Sequence, residues 1–196
     1  MKKLVVIAAA LTCCMAAQAE ESRVRFFGSV GAGFGGDELA SGTYTNGNTF
    51  SIKAGNGATL AAGVSIPVSD LVDVQLSVGY QSTSTNASNG DISFKRYPVE
   101  ALGFYKLNPN WRVGGGLRSA TSAKLSTSGV AGMLGSYDFT PSVGVVLEAQ
   151  YLFDKTTNQR GQFGLSGRYV SESFEENSTK AKFNGNHVGF SLVFYY

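Results

Sequence analysis

The chain has 196 residues, of which 25 are glycine, 12% aromatic and 15% charged, with 16 Lys+Arg against 14 Asp+Glu. Its two cysteines, Cys13 and Cys14, lie in the first apolar stretch; taking that stretch away also removes Lys2 and Lys3 and leaves 14 bases against 14 acids. That balance excludes a disulfide scaffold, thiolate chemistry and the basic surface a nucleic-acid binder needs, and the length fits one domain.

At the N-terminus, Met1-Lys2-Lys3 is basic, Leu4 to about Ala17 is apolar, and Ala17-Gln18-Ala19 is an A-x-A site. This predicts a secretory signal peptide over 1–19, cleaved after Ala19, ahead of a single unit over 20–196. Thr12 before Cys13 makes a poor lipobox. The apolar run is shorter than the roughly 20 residues a spanning helix needs, and no later run approaches that length.

Eight alternating segments follow: about 24–34, 58–66, 72–80, 94–105, 111–118, 142–153, 162–170 and 187–196. In the third, Val72, Val74, Leu76, Val78 and Tyr80 share one face, while Asp73, Gln75, Ser77 and Gly79 share the other. The fifth sets Arg112, Gly114, Gly116 and Arg118 opposite Trp111, Val113, Gly115 and Leu117; the sixth sets Ser142, Gly144, Glu148 and Gln150 opposite Val143, Val145, Leu147, Ala149, Tyr151 and Phe153. Side chains alternate across a strand, so each segment carries one greasy and one small or polar face. The fourth is ambiguous; facing Tyr97, Val99, Ala101, Gly103 and Tyr105 outward keeps Glu100 out of hydrocarbon but puts Leu102 and Phe104 inside.

Connections alternate in length. Residues 35–57, 81–93, 119–141 and 171–186 are long and rich in Gly, Ser, Thr and Asn, whereas 67–71, 106–110 and 154–161 are short. Transmembrane barrels show this asymmetry, with short periplasmic turns and long extracellular loops. Phe26, Tyr105, Trp111, Tyr151 and Phe153 gather towards one end and Phe34, Tyr80, Tyr97 and Tyr169 towards the other, as two interfacial girdles would. The expected fold is all-β: an eight-stranded antiparallel up-and-down transmembrane β-barrel.

The inward faces carry Arg25, Asp73, Glu100, Arg112, Arg118, Glu148 and Arg168. Pairing about 106–110 sets Glu100 near Gly116, diagonal to Arg118; pairing about 157 sets Glu148 near Ser166, diagonal to Arg168; and Arg112 falls near Glu148. Diagonal neighbours are within reach of long side chains, which predicts an internal network of Glu100, Arg112, Arg118, Glu148 and Arg168. Such charges either fill and neutralise the lumen or line a narrow gated pore; eight strands leave an interior just wide enough for side chains, which favours filling.

Little else suggests chemistry. His187 is the one histidine, and Ser191 shares its face at a spacing too long for a His–Ser pair; a polar residue at the outer rim is the plainer reading. No metal-ligand cluster is legible. Gly31-x-Gly33-x-Gly35-Gly36 and Gly114-Gly115-Gly116 precede no helix, so they read as curvature or room for bulky neighbours rather than a nucleotide cradle. Lys53, Lys95, Arg96, Lys124, Lys180 and Lys182, in or beside the long loops, could meet lipopolysaccharide phosphates. Asp37, Glu38, Asp91, Glu172, Glu175 and Glu176 are mixed among them, as on any solvated surface; Val130, Met133 and Leu134 make the third loop the least polar.

The chain closes on Val188, Phe190, Leu192, Phe194 and Tyr196 at alternate positions. This resembles the terminal strand of bacterial outer-membrane barrels. The stretch from Lys95-Arg96-Tyr97-Pro98-Val99-Glu100 to Trp111-Arg112-Val113-Gly114-Gly115-Gly116 looks like the outer-membrane β-barrel domain family, small barrels of the OmpA, OmpX and opacity-protein type. The resemblance implies a cofactor-free, monomeric protein of the Gram-negative outer membrane, in contact with lipid and lipopolysaccharide. It also implies a terminal strand read by the barrel-assembly machinery, and loops that meet a surface partner. A non-enzymatic role in envelope structure or surface contact is expected first, with a small gated pore or transporter and a lipid A-modifying enzyme as the alternatives.

Overall fold

The structure, a computed structural model, describes residues 24–43, 49–87, 90–129, 135–154 and 161–196. The expected signal peptide, both cysteines, and Val130, Met133 and Leu134 lie outside the described residues. In chain order the strands are β1 (Arg25–Gly35), β2 (Glu38–Thr43), β3 (Thr49–Lys53), β4 (Gly57–Pro67), β5 (Val72–Ala87), β6 (Gly90–Lys106), β7 (Trp111–Thr127), β8 (Tyr137–Pro141), β9 (Gly144–Leu152), β10 (Gln162–Ser171), β11 (Ser173–Glu176), β12 (Lys182–Asn184) and β13 (His187–Tyr195). Among the described residues no helix is long and apolar enough to cross a membrane.

Strands β1, β4, β5, β6, β7, β9, β10 and β13 pair antiparallel in that order, and β13 returns to β1, which closes an eight-stranded barrel. Closure leaves no open edge, the condition for a sheet to sit in lipid. The alternation has the expected sense. In β13 and the residue after it the outward row Val188, Phe190, Leu192, Phe194 and Tyr196 is exposed, and in β6 the row Tyr97, Val99, Ala101, Gly103 and Tyr105 faces out while Glu100, Leu102 and Phe104 are buried. Leu102 and Phe104 pack with Val146 and Val170 inside the lumen. The Phe104 ring needs Gly114 opposite it: a Cβ there would stand 2.6 Å from the ring.

Two registers differ from the sequence reading. Glu100 lies directly opposite Arg118, not Gly116. Asn108 explains the shift: its Oδ1 accepts from the N–H groups of Asn110 (2.9 Å) and Trp111 (2.8 Å), which centres the turn one residue later than simple counting does. Moving a turn centre by one residue moves the pairing by two, which preserves the facing of every side chain. Likewise Glu148 lies directly opposite Arg168, not Ser166.

The larger correction concerns the long connections. At that end β5, β6 and β7 run well past the expected segment ends, β8 and β11 add to the same sheet with β12 beside β11, and β2 and β3 form a hairpin. Ile52, Ala54, Ile92, Phe94, Ala123, Leu125, Phe139 and Phe174 make a buried cluster there, with Leu39, Ala40, Phe50 and Phe183 packed against it. Segments that read as polar loops thus contain enough inward apolar positions for a core of their own. A β-bulge resets the facing of β7: Pro98 pairs with Ala120 but Arg96 with Ala123, so Thr121 and Ser122 together stand opposite Tyr97, beside a proline that has no N–H for the ladder, and Ala123 and Leu125 turn inward.

Candidate functional site: the ionic lumen and its roof

The barrel interior is a stack of charge beneath an apolar lid. At the short-turn end, fully buried Asp73 receives Arg25 Nη2 at 3.2 Å and Arg112 Nη1 at 3.1 Å on Oδ2, and Lys106 Nζ lies 2.8 Å from Oδ1. Arg112 also donates from Nε (2.9 Å) and Nη2 (2.7 Å) to Gln150 Oε1. Its guanidinium lies over the Phe104 and Tyr195 rings at 4.9 and 4.5 Å. The Tyr195 hydroxyl accepts from Gln75 Nε2 (3.0 Å) and donates to Gln150 Oε1 (2.9 Å), which floors this layer.

At mid-height Glu100 holds two guanidiniums: Arg118 Nη1 at 2.7 Å on Oε1 and Arg168 Nη2 at 2.6 Å on Oε2. Arg168 Nη2 also reaches Glu148 Oε2 at 3.1 Å, and Glu148 Oε1 accepts from Ser166 Oγ at 2.6 Å. Above it, Glu172 receives Arg118 Nε on Oε2 and Arg96 Nη1 on Oε1, both at 3.0 Å. Arg118 Nη2 donates to Gln81 Oε1 (2.8 Å), and Arg96 Nη2 to the Asn56 carbonyl (3.1 Å). Desolvating so many ions is costly, and only this dense mutual pairing keeps them in a narrow lumen. A cavity of about 30 Å³ beside Glu100, Arg118 and Arg168 has room for about two water molecules.

Of the residues expected to form the network, Glu100, Arg118, Glu148 and Arg168 meet, while Arg112 belongs to the separate Asp73 layer and faces Gln150 rather than pairing with Glu148. The sequence reading missed Arg96 and Glu172, which it placed on the solvated surface; both are buried and paired. The available signal was phase, since Ile92, Phe94 and Arg96 alternate in step with Glu100, and Glu172 with Phe174. Arg96 forms the boundary between the two interiors: its guanidinium lies 5.2 Å from the Phe94 ring centre and 5.5 Å from that of Phe174. Glu176 is also buried, and caps the turn after β11. Hydrogen bonds from the Thr179 side chain and then from the Ser178 and Thr179 backbone hold its carboxyl down at about 2.

His187 is buried at the top of the lumen rather than at an outer rim, with Nδ1 2.8 Å from the Gly185 carbonyl and 3.8 Å from Glu172 Oε1. Ser191 lies four positions along the same strand, and at about 3.3 Å per residue that places it roughly 13 Å away, beyond hydrogen bonding. Among the described residues no cluster of His, Cys, Asp or Glu could hold a metal ion. The glycine motif 31–36 leads out of β1, with Gly35 and Gly36 at φ of 137° and 79°, values that side chains disfavour.

The sequence matches the outer membrane protein beta-barrel domain over residues 5–194. No curated protein matches it by sequence. Among solved structures, Neisserial surface protein A is 10% identical with a TM-score of 0.52, the match covering 90% of this chain and 98% of that one. Ail, the attachment invasion locus protein of Yersinia pestis, is 14% identical with a TM-score of 0.50, over 90% and 100% of the two chains. At such identities the likeness is one of fold.

Proposed function

The chain belongs to the outer membrane protein beta-barrel domain family, and on that premise we propose that it is a non-enzymatic, non-conducting surface protein whose barrel anchors a rigid extracellular β-platform for contact with other surfaces. The observation that carries this reading is the roof: three barrel strands continue past the outer aromatic girdle, are joined by further strands, and enclose an apolar core directly above a filled lumen. A pore would need an open path where Phe94, Phe139 and Phe174 interlock edge to face. A His–Ser lipid A-modifying enzyme would need its serine beside His187, whereas Ser191 lies roughly 13 Å along the strand. The outward face of the roof offers exposed Lys95, Lys124 and Lys182 alongside exposed Asp91 and Asp138, a mixed polar surface suited to contact. The lipid-facing row of β13 supports its reading as the strand presented to the assembly machinery, and the outer girdle its contact with lipid and lipopolysaccharide.

Two measurements test this. In planar bilayers the refolded protein is expected to show no steady conductance; a stable open channel at neutral pH overturns the closed-lumen reading. Cells displaying the protein are expected to attach to a solid surface or to each other more than cells without it, and the Lys95→Glu, Lys124→Glu, Lys182→Glu triple variant to lose that gain. Attachment equal in all three strains overturns the contact reading. A changed lipid A acylation pattern in wild-type cells that His187→Ala abolishes would establish the enzyme instead.

A further inference from the structure

The charge along the lumen is uneven. In the middle and upper layers Glu100, Glu148 and Glu172 face Arg96, Arg118 and Arg168, one acid for each base. At the short-turn mouth three cations, Arg25, Lys106 and Arg112, share the single carboxylate of Asp73. Among the described residues this layer therefore holds two positive charges in excess, at the end of the barrel opposite the apolar roof.

We infer that this mouth, on the periplasmic side, is a binding site for an oxyanion of the phosphate-monoester class. The three cations line a concavity of about 340 Å³, within the usual range of small-molecule sites. Buried Arg112 lines it together with the Arg25 and Lys106 side chains, which are 25% and 31% exposed. Gln162 adds a polar wall, and Pro67, Pro109 and Leu152 complete the lining. The acids nearest in sequence do not neutralise the excess. Asp70 meets Lys106 through its backbone carbonyl (3.3 Å), and exposed Asp154 accepts from Asn110 Nδ2 (2.7 Å) at the rim. A phosphate monoester carries about −1.5 to −2 charges at neutral pH, which matches the excess, whereas a carboxylate supplies half of it. Arginine suits such a group because its fork can take two oxygens, and lysine adds a point charge.

The source of the phosphate is either a soluble monoester or the headgroup of a lipid from the adjoining leaflet. The inference depends on the orientation of the barrel but not on the surface-contact reading, so either can fail alone. The test uses the refolded protein in a maltoside detergent free of phosphate. Inorganic phosphate is titrated against chloride at matched ionic strength, and in a second arm short-chain phosphatidic acid against phosphatidylcholine. Saturable amide shifts confined to Arg25 and residues 106–112 are expected, with at least tenfold weaker binding in Lys106→Gln and in Arg25→Gln. Both substituted side chains are part-exposed, and heat-modifiable gel migration verifies that each variant is folded. Saturation with inorganic phosphate assigns a soluble ligand, and saturation with phosphatidic acid alone assigns a lipid headgroup. No saturable effect in either arm, or equal effects in wild type and both variants, overturns the site.

Discussion

The bilayer-crossing part of the barrel and the roof above it are built from the same strands with the same period of two, yet their interiors have opposite character. Along β6 the inward positions run Lys106, Phe104, Leu102, Glu100, Pro98, Arg96, Phe94 and Ile92, passing from mixed and ionic to wholly apolar. The exterior decides which applies. In hydrocarbon an outward apolar side chain loses nothing and the inside must satisfy its own polar groups; in water the outward face turns polar and burial of grease drives packing. The change falls at Arg96, whose flat faces lie on phenyl rings while its edges bond Glu172 and Asn56. Below that plane, stability rests on ion pairing and the closed backbone ladder; above it, on a conventional core.

That contrast can be broken most severely at Glu100. Glu100→Leu strips a shared acceptor from Arg118 and Arg168 and is expected to cost about 3–5 kcal/mol, the range for breaking a buried pair, seen as a lower midpoint for the heat-induced gel shift. An unchanged midpoint would show that the lumen does not depend on its ions. Phe94→Ala empties the centre of the roof, at a local cost of about 3 kcal/mol. It should open the extracellular strands to protease on intact cells while the barrel midpoint barely moves; a matching fall in both would mean that the two regions unfold as one. Glu148→Leu sharpens the first comparison, because Arg168 keeps Glu100: a cost of about 1–3 kcal/mol is expected, measured as for Glu100. Acid should act next, at the turn after β11 in the roof. Glu176 titrates at about 2 when folded against an ordinary value of 4.5, so its contribution is complete above about pH 4.5 and is lost as pH falls towards 2. The Ser178 and Thr179 amide resonances should follow that titration; an inflection near 4.5 would show that the cap does not form. The smallest effect is expected at Lys124–Asp138, 3.6 Å apart with both side chains more than half exposed, where Lys124→Ala should change stability by a few tenths of a kcal/mol at most.

The barrel was legible because lipid punishes any error in facing. The cost of a charge in hydrocarbon alone orients the fourth expected segment, with Glu100 inward, although Leu102 and Phe104 argue the other way. Register was less legible, since it depends on which backbone groups Asn108 caps, a detail that counting from the turn centre does not contain. The roof was hardest to read. Its apolar positions are spread thinly among Gly, Ser, Thr and Asn in four separate segments, and no single segment shows the core that Ile52, Phe94, Leu125 and Phe174 make only when brought together. Arg96 and Glu172 were lost with it, because a charged residue in a polar segment looks solvated until its partner comes from 76 positions away.

The seam between β1 and β13 makes residence in the membrane all or none. Phe26 and Tyr196 exchange both of their backbone hydrogen bonds, at 3.1 and 2.8 Å, so the first and last strands are zipped to each other. A barrel lacking either strand has only one lip of that zipper, and its raw amides can find no water once surrounded by acyl chains. Both strands must therefore be in place together before the sheet can rest stably in lipid.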